Sequence, residues 1–205
     1  MSVFGSSRVL HCFRLLLFIL ASLPLQSCDS SKTPPRPNGL EVGDKLVDFS
    51  LMDENGQIFK LSNLQRGWYL VVVLYRGDYC NSCRTMLFGL KDNYSVLGAE
   101  RIAVVAISTD SVDESSRFNN QWRFPFPLLS DPNLRIIDAF GSRHPNGHGI
   151  YDVAHPAMII LDPQKTIQYK KINNNADELP NTNEIISLVK NFRFQESTVP
   201  PPTSK

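Results

Sequence analysis

The chain has 205 residues, enough for one well-cored domain with little left for a second. Its 21 Lys and Arg face 20 Asp and Glu, and without the first 27 residues, which hold Arg8 and Arg14 but no acid, the formal net charge moves from +1 to −1. Composition is that of a globular protein, and so neutral a surface excludes charge-driven binding of nucleic acid.

Arg8 and Arg14 precede an apolar run at residues 15–25. A bilayer span needs about 20 residues, whereas a shorter run behind positive charge fits a signal peptide. The run ends in Leu25-Gln26-Ser27-Cys28, which resembles the bacterial lipobox: an apolar residue three before a cysteine and a small one just before it. The resemblance implies that residues 1–27 are removed by signal peptidase II and that Cys28 carries a diacylglycerol. By the enteric sorting pattern, Asp29 after that cysteine would retain the protein at the inner membrane of the cell envelope, with its domain in the periplasm. The membrane is then a partner only through the lipid on Cys28. Residues 28–39, polar and proline-rich, read as a tether.

Residues 43–51 and 58–61 read as two short strands around an Asn55-Gly56 turn. Residues 69–75 are an unbroken apolar and β-branched run, as expected of a central strand covered on both faces. Gly77 and Asp78 end it. From Ser82 the apolar residues Met86, Leu87, Leu90, Tyr94 and Leu97 recur at helical spacing. Residues 101–108 form another buried strand, and 110–122 have helical character. Residues 126–129 lead to Ser130-Asp131-Pro132, a helix start with proline in its first turn, which 134–140 continue. Residues 142–149, with His144 and His148, read as a glycine- and proline-rich loop rather than a metal site. Residues 158–161 and 166–170 flank a turn, and Ile185, Ile186, Leu188, Val189 and Phe192 mark a last amphipathic helix. The domain therefore spans 40–194, and 195–205, with Pro200, Pro201 and Pro202, read as a disordered tail. Strands alternating with helices, then a hairpin and a helix, predict a single α/β domain with a mixed central sheet and helices on both faces.

The chemistry concentrates in Tyr75-Arg76-Gly77-Asp78-Tyr79-Cys80-Asn81-Ser82-Cys83-Arg84, where a strand gives way to a helix. A cysteine at a helix start meets free N–H groups and partial positive charge, which stabilise its thiolate, and Arg76 and Arg84 add to that field. Cys83 lies one helical turn on, close enough to attack a mixed disulfide at Cys80 and close a Cys80–Cys83 bridge. A structural disulfide, half a zinc site or two inert thiols would share the spacing, but a C-x-x-C between an apolar strand and an amphipathic helix favours a redox pair. With Cys12 in the signal peptide and Cys28 acylated, Cys80 and Cys83 are the two thiols left, and no cofactor beyond their redox-active disulfide is expected.

From about Leu40 to Phe192 the chain resembles a thioredoxin-fold protein of the alkyl hydroperoxide reductase/thiol-specific antioxidant (AhpC/TSA) family. The matching stretches are Gly43-Asp44 to Phe49-Ser50-Leu51, Leu61-Ser62-Asn63-Leu64, 104–110, 126–132 and Ile159-Ile160-Leu161-Asp162. The resemblance implies a thioredoxin-like fold and an antioxidant or thiol oxidoreductase. Typical peroxiredoxins carry a proline seven and a threonine or serine three residues before the peroxidatic cysteine, and an arginine before a later strand. Those positions hold Val73, Gly77 and Pro156. Instead, Tyr75 and His155-Pro156 stand where thioredoxin-like reductases keep a strand aromatic and a cis-proline that receives an extended substrate strand. The buried acid that thioredoxins place six residues before the first cysteine is Leu74 here, which leaves the base for Cys83 unassigned. These residues point to a membrane-anchored thiol-disulfide oxidoreductase that exchanges with protein thiols or disulfides, in which Cys80 attacks the substrate, Cys83 resolves, and an external thiol partner resets the pair. The alternatives are a peroxiredoxin-like thiol peroxidase, with Cys80 peroxidatic toward hydroperoxides and Cys83 resolving, and a copper-binding protein of the Sco kind using Cys80, Cys83 and His155.

Overall fold

The computed structural model describes residues 39–198. The expected signal peptide, Cys28 and all but the last residue of the tether lie outside the described residues, as do residues 199–205. In chain order the elements are β1 (Ser50–Met52), β2 (Ile58–Lys60), β3 (Tyr69–Leu74), α1 (Asn81–Asp92), α2 (Tyr94–Ala99), β4 (Ile102–Ser108), α3 (Val112–Trp122), β5 (Leu128–Ser130), α4 (Arg135–Ala139), β6 (Arg143–His148), β7 (Tyr151–Ala154), β8 (Ala157–Leu161), β9 (Ile167–Ile172) and α5 (Thr182–Thr198).

Seven strands form one sheet in the order β2-β1-β5-β4-β3-β8-β9. β4 runs parallel to β3 and β5, whereas β8 pairs antiparallel with both β3 and β9. The apolar run of β3 lies inside this mixed sheet, between β4 and β8, and is wholly buried. Its side chains alternate between the faces. Tyr69, Val71 and Val73 join Leu87 and Leu90 of α1, Phe118 of α3, and Ile185 and Val189 of α5 in one core cluster. Leu70, Val72 and Leu74 pack on the other face with Leu46, Phe49, Ile136, Ile137 and Phe140. The fold is thus the expected thioredoxin-like α/β domain, covered on both faces.

Local departures have local causes. The helical run after Ser82 breaks at Asn93, whose side chain donates to Gly89 O at 2.9 Å in competition with the backbone ladder. Residues 43–46 run along the β8–β9 turn instead of forming a strand with β2, with Gly43 N bonded to Ile167 O and Leu46 N to Lys165 O. No helix starts at Ser130-Asp131-Pro132: β5 ends at Ser130, Leu134 turns through φ +54°, and α4 begins at Arg135. Asp131 caps that helix from outside, its carboxylate accepting from the N–H groups of Arg135, Ile136 and Ile137 at 2.8–3.0 Å.

The loop expected at 142–149 is a strand, β6, which forms a two-stranded ribbon with β7. Glycine and proline obscure its pattern, and the ribbon is held instead by Arg143 paired to Asp152 at 2.8 Å and by Asn146 N donating to Asp152 Oδ1 at 3.0 Å. Of the tail expected from Gln195, residues 195–198 are helical instead, because α5 continues through Thr198.

Candidate active site

β3 delivers the chain to the motif. Tyr75 N donates to Ile107 O at 3.0 Å, which extends the parallel pairing with β4 to the threshold of the turn. Gly77 then takes φ +144°, and a Cβ there would lie 2.8 Å from the Tyr79 ring and 2.9 Å from Asp110 Oδ1. Only glycine fits this approach without displacing a neighbour.

Cys80 is the N-cap of α1, and its Sγ accepts from Cys83 N at 3.3 Å. The cysteines are joined by a disulfide with Cα atoms 5.2 Å apart. Cys80 keeps 7% of its surface and Cys83 none, so the outer sulfur is the one set among the free N–H groups of the helix start. Ser82 Oγ stands 3.6 Å from it. The arrangement suits attack at Cys80 and resolution from within by Cys83.

The two arginines expected to favour the thiolate hold the turn in place. Arg84 donates to Asp78 O at 3.0 Å and to the Asn81 side-chain oxygen. Arg76 Nη2 donates to Asn174 O at 2.8 Å, while its Nε is buried with no hydrogen-bond partner. Their hydrogen bonds go to oxygens, and any effect on the Cys80 sulfur is through charge at a distance.

Pro156 lies between β7 and β8. The pairing of Leu74 with Ala157 sets it beside the end of β3 that leads to the cysteines, and Asn173 N caps its carbonyl at 2.9 Å. His155 N donates to Ser142 O at 2.7 Å, and its carbonyl accepts from Ser142 Oγ at 2.8 Å. Its ring stacks on His144 with centroids 4.1 Å apart. Burial, His144 and Arg76 all hold the His155 imidazole below its ordinary range, favouring the neutral ring. The ribbon also lays His148 on Tyr79, the residue before Cys80, with centroids 4.0 Å apart. The histidine-bearing segment is therefore part of the site's surroundings, which no spacing in the sequence signalled. Among the described residues no group of three or more His, Cys, Asp or Glu side chains is placed to share a metal ion.

Asp110, just past the end of β4, is the residue the sequence reading missed. Its carboxyl is pushed up to about 6, first by burial and then by the charges of Asp78 and Glu114, against the nearby Ser108 hydroxyl and Asp78 N–H, which favour its charged form. Asp110 Oδ2, Tyr75 Oη and Ser115 Oγ are all buried without a well-aligned hydrogen bond. Burial and Asp110 together raise the Tyr75 hydroxyl, which has Ser108 and Ser115 beside it. The signal was positional: a carboxylate just past the strand that runs parallel to the cysteine-bearing one.

Comparison with known proteins places these features in context. A model of the AhpC/TSA family matches residues 42–170, a span that includes both cysteines. Peroxiredoxin Bcp of Escherichia coli is 30% identical over 134 residues, 64% of this chain and 85% of that protein. Peroxiredoxin bcp1 of Schizosaccharomyces pombe is 30% identical over 112 residues, 55% of this chain, and the chain spans 57% of its length. Among solved structures, Peroxidoxin BcpB from Mycobacterium tuberculosis superposes with a TM-score of 0.67 at 22% identity, covering 75% of this chain and 99% of its own, a likeness of fold.

Proposed function

The chain belongs to the AhpC/TSA family, and from that premise we propose that it is a thiol peroxidase in which Cys80 reduces a hydroperoxide and Cys83 resolves the product. Peroxide reduction ranks above the disulfide exchange that the motif residues favour, because relatives named as peroxiredoxins align across the domain. The observation that carries the reading is the paired placement of an outer sulfur at a helix start and a fully buried sulfur one turn on.

The Cys80 thiolate attacks one peroxide oxygen, the O–O bond breaks, and the alkoxide or hydroxide leaves as it takes a proton. Cys80 is left as a sulfenic acid. The Cys83 thiol displaces its hydroxyl, giving the Cys80–Cys83 disulfide and water. Two equivalents of an external thiol then restore both cysteines by exchange. Hydroperoxides and a thiol reductant are thus the partners. The test is to treat reduced Cys83→Ser protein with one equivalent of hydrogen peroxide and a sulfenic-acid trap. Labelling at Cys80 supports the reading, and a protein left as free thiol sinks it.

Disulfide exchange with a protein substrate is the second reading. It draws on Val73, Gly77 and Pro156 at the positions where typical peroxiredoxins keep proline, threonine and arginine. A threonine cannot simply replace Gly77, given the Tyr79 and Asp110 atoms that its Cβ would meet. Mixed disulfides trapped by Cys83→Ala, with no peroxide consumption by the native protein, would favour exchange.

The lipobox-like Leu25-Gln26-Ser27-Cys28 supports an anchored, periplasm-facing enzyme. Cys28→Ser should release the protein from the membrane fraction; continued membrane association would exclude the lipid on Cys28 as its anchor.

A further inference from the structure

We propose that Asp110 is a proton-coupled positioning residue for the Cys80–Cys83 couple, its carboxylate taking up a proton as Cys80 becomes a thiolate and releasing it as the disulfide closes. The proposal rests on the reading of these cysteines as the redox pair, but not on peroxide being the oxidant.

The geometry is a seat beneath the turn that presents Cys80. Asp110 Oδ1 approaches the Gly77 backbone so closely that a Cβ would stand 2.9 Å away. The Asp78 N–H, two residues before Cys80, lies near the carboxylate and favours its charged form. Ser130 Oγ donates to Asp110 O at 2.6 Å and fixes the residue's own backbone. Asp110 Oδ2 is buried without an aligned partner, as is Tyr75 Oη, whose hydroxyl feels the Asp110 charge and has Ser115 beside it. Cys80 N donates to Gly77 O at 3.3 Å, so the glycine that Asp110 approaches belongs to the same turn as the outer cysteine.

The titratable groups facing Asp110 are Tyr75 from β3, Asp78 and Tyr79 from the turn, and Glu114 from α3. A thiolate added at Cys80 joins a site already shared by acids, and each negative charge then disfavours the other. Reduction breaks the S–S bond with two electrons from the external thiol. Cys83 takes one of the two protons released by that thiol, and Asp110 takes the other while Cys80 remains a thiolate. Closure of the disulfide returns both protons. Burial already pushes Asp110 up to about 6, so a modest further rise on reduction keeps a proton there near neutral pH.

The test follows alkylation of Cys80 by iodoacetamide against pH in the reduced, full-length protein and in Asp110→Asn. Two coupled steps are expected in the native profile and one in Asp110→Asn. Below the thiol midpoint the variant should react roughly 3- to 10-fold faster, the effect of about 0.5–1 pK unit of coupling. If Asp110→Asn does not fold, carboxyl-carbon NMR of the native protein decides: the Asp110 midpoint should rise on reduction of the disulfide. Identical alkylation profiles, or an Asp110 midpoint indifferent to redox state, overturn the proposal. Coupling found in a protein that does not consume peroxide would uphold Asp110 and refute the peroxidase reading. A disulfide that dithiothreitol cannot reduce would refute both.

Discussion

Burial separates the two sulfurs of the motif, and an incoming oxidant meets Cys80, which keeps 7% of its surface, before the fully enclosed Cys83. Cys80→Ser should therefore abolish peroxide consumption, whereas Cys83→Ser should allow one turnover and then stall, as read by peroxide consumed per protein. Equal loss in both variants during that first turnover would contradict the assignment. Asp110 makes a separate prediction about stability. Its carboxyl titrates near 6 in the folded protein against an ordinary value of 3.8, so between these pH values the folded state binds more protons than the unfolded one. Stability contributed by this group is then highest at acid pH, falls as pH rises through that window, and stays reduced above it. At about 1.4 kcal/mol per pK unit the effect is on the order of 1–3 kcal/mol. In urea unfolding, Asp110→Asn should gain on the native protein between pH 4 and pH 7, and a difference independent of pH would count against the burial of this charge.

Among elements, the turn after β1 illustrates a structural role that its sequence hides. Asp53-Glu54-Asn55-Gly56 announces a turn, and it is one, yet Glu54 is only 8% exposed. Its carboxylate accepts from Leu128 N of β5 at 2.9 Å and from Asn119 Nδ2 of α3 at 3.0 Å. Glu54→Ala leaves these donors unpaired and should cost about 2–4 kcal/mol in urea unfolding at neutral pH; a loss below about 1 kcal/mol would mean that water satisfies them. The β6–β7 ribbon is the second case. His148→Ala removes the ring stacked on Tyr79, and an aromatic pair of this kind contributes about 0.5–1.5 kcal/mol. The same variant should also quicken alkylation of Cys80 in the reduced protein by loosening Tyr79, and an unchanged rate would separate the ribbon from the motif. Neither role was legible beforehand, because both depend on partners far away in the chain. β3 and α1, by contrast, declare themselves through local pattern: seven consecutive apolar residues in one case and helical spacing in the other.

At the scale of the whole molecule, the order and direction of strands bring three segments to one end of the central strands: the β3 end with Cys80, the β4 end with Asp110 and the start of β8 with Pro156. Stacking of His148 on Tyr79 and of His144 on His155 adds the ribbon to them. The cysteines and Pro156 were legible in the sequence because motif spacing and family resemblance mark them. Asp110 was not, since parallel pairing of β3 with β4, rather than any spacing, carries it beneath Gly77. The family supplies this scaffold, while the residues on it decide the reaction. Val73, Gly77 and Pro156 differ from the typical peroxiredoxin set, so the proposed peroxide reduction would draw its activation from the helix start and the local field. Stopped-flow mixing of the reduced, full-length protein with hydrogen peroxide tests that most directly. Peroxide reduction at Cys80 predicts oxidation faster than that of free cysteine at the same pH, ending in the Cys80–Cys83 disulfide with one peroxide consumed per protein. Oxidation no faster than free cysteine, in a protein that still exchanges disulfides with a thiol partner, would contradict it.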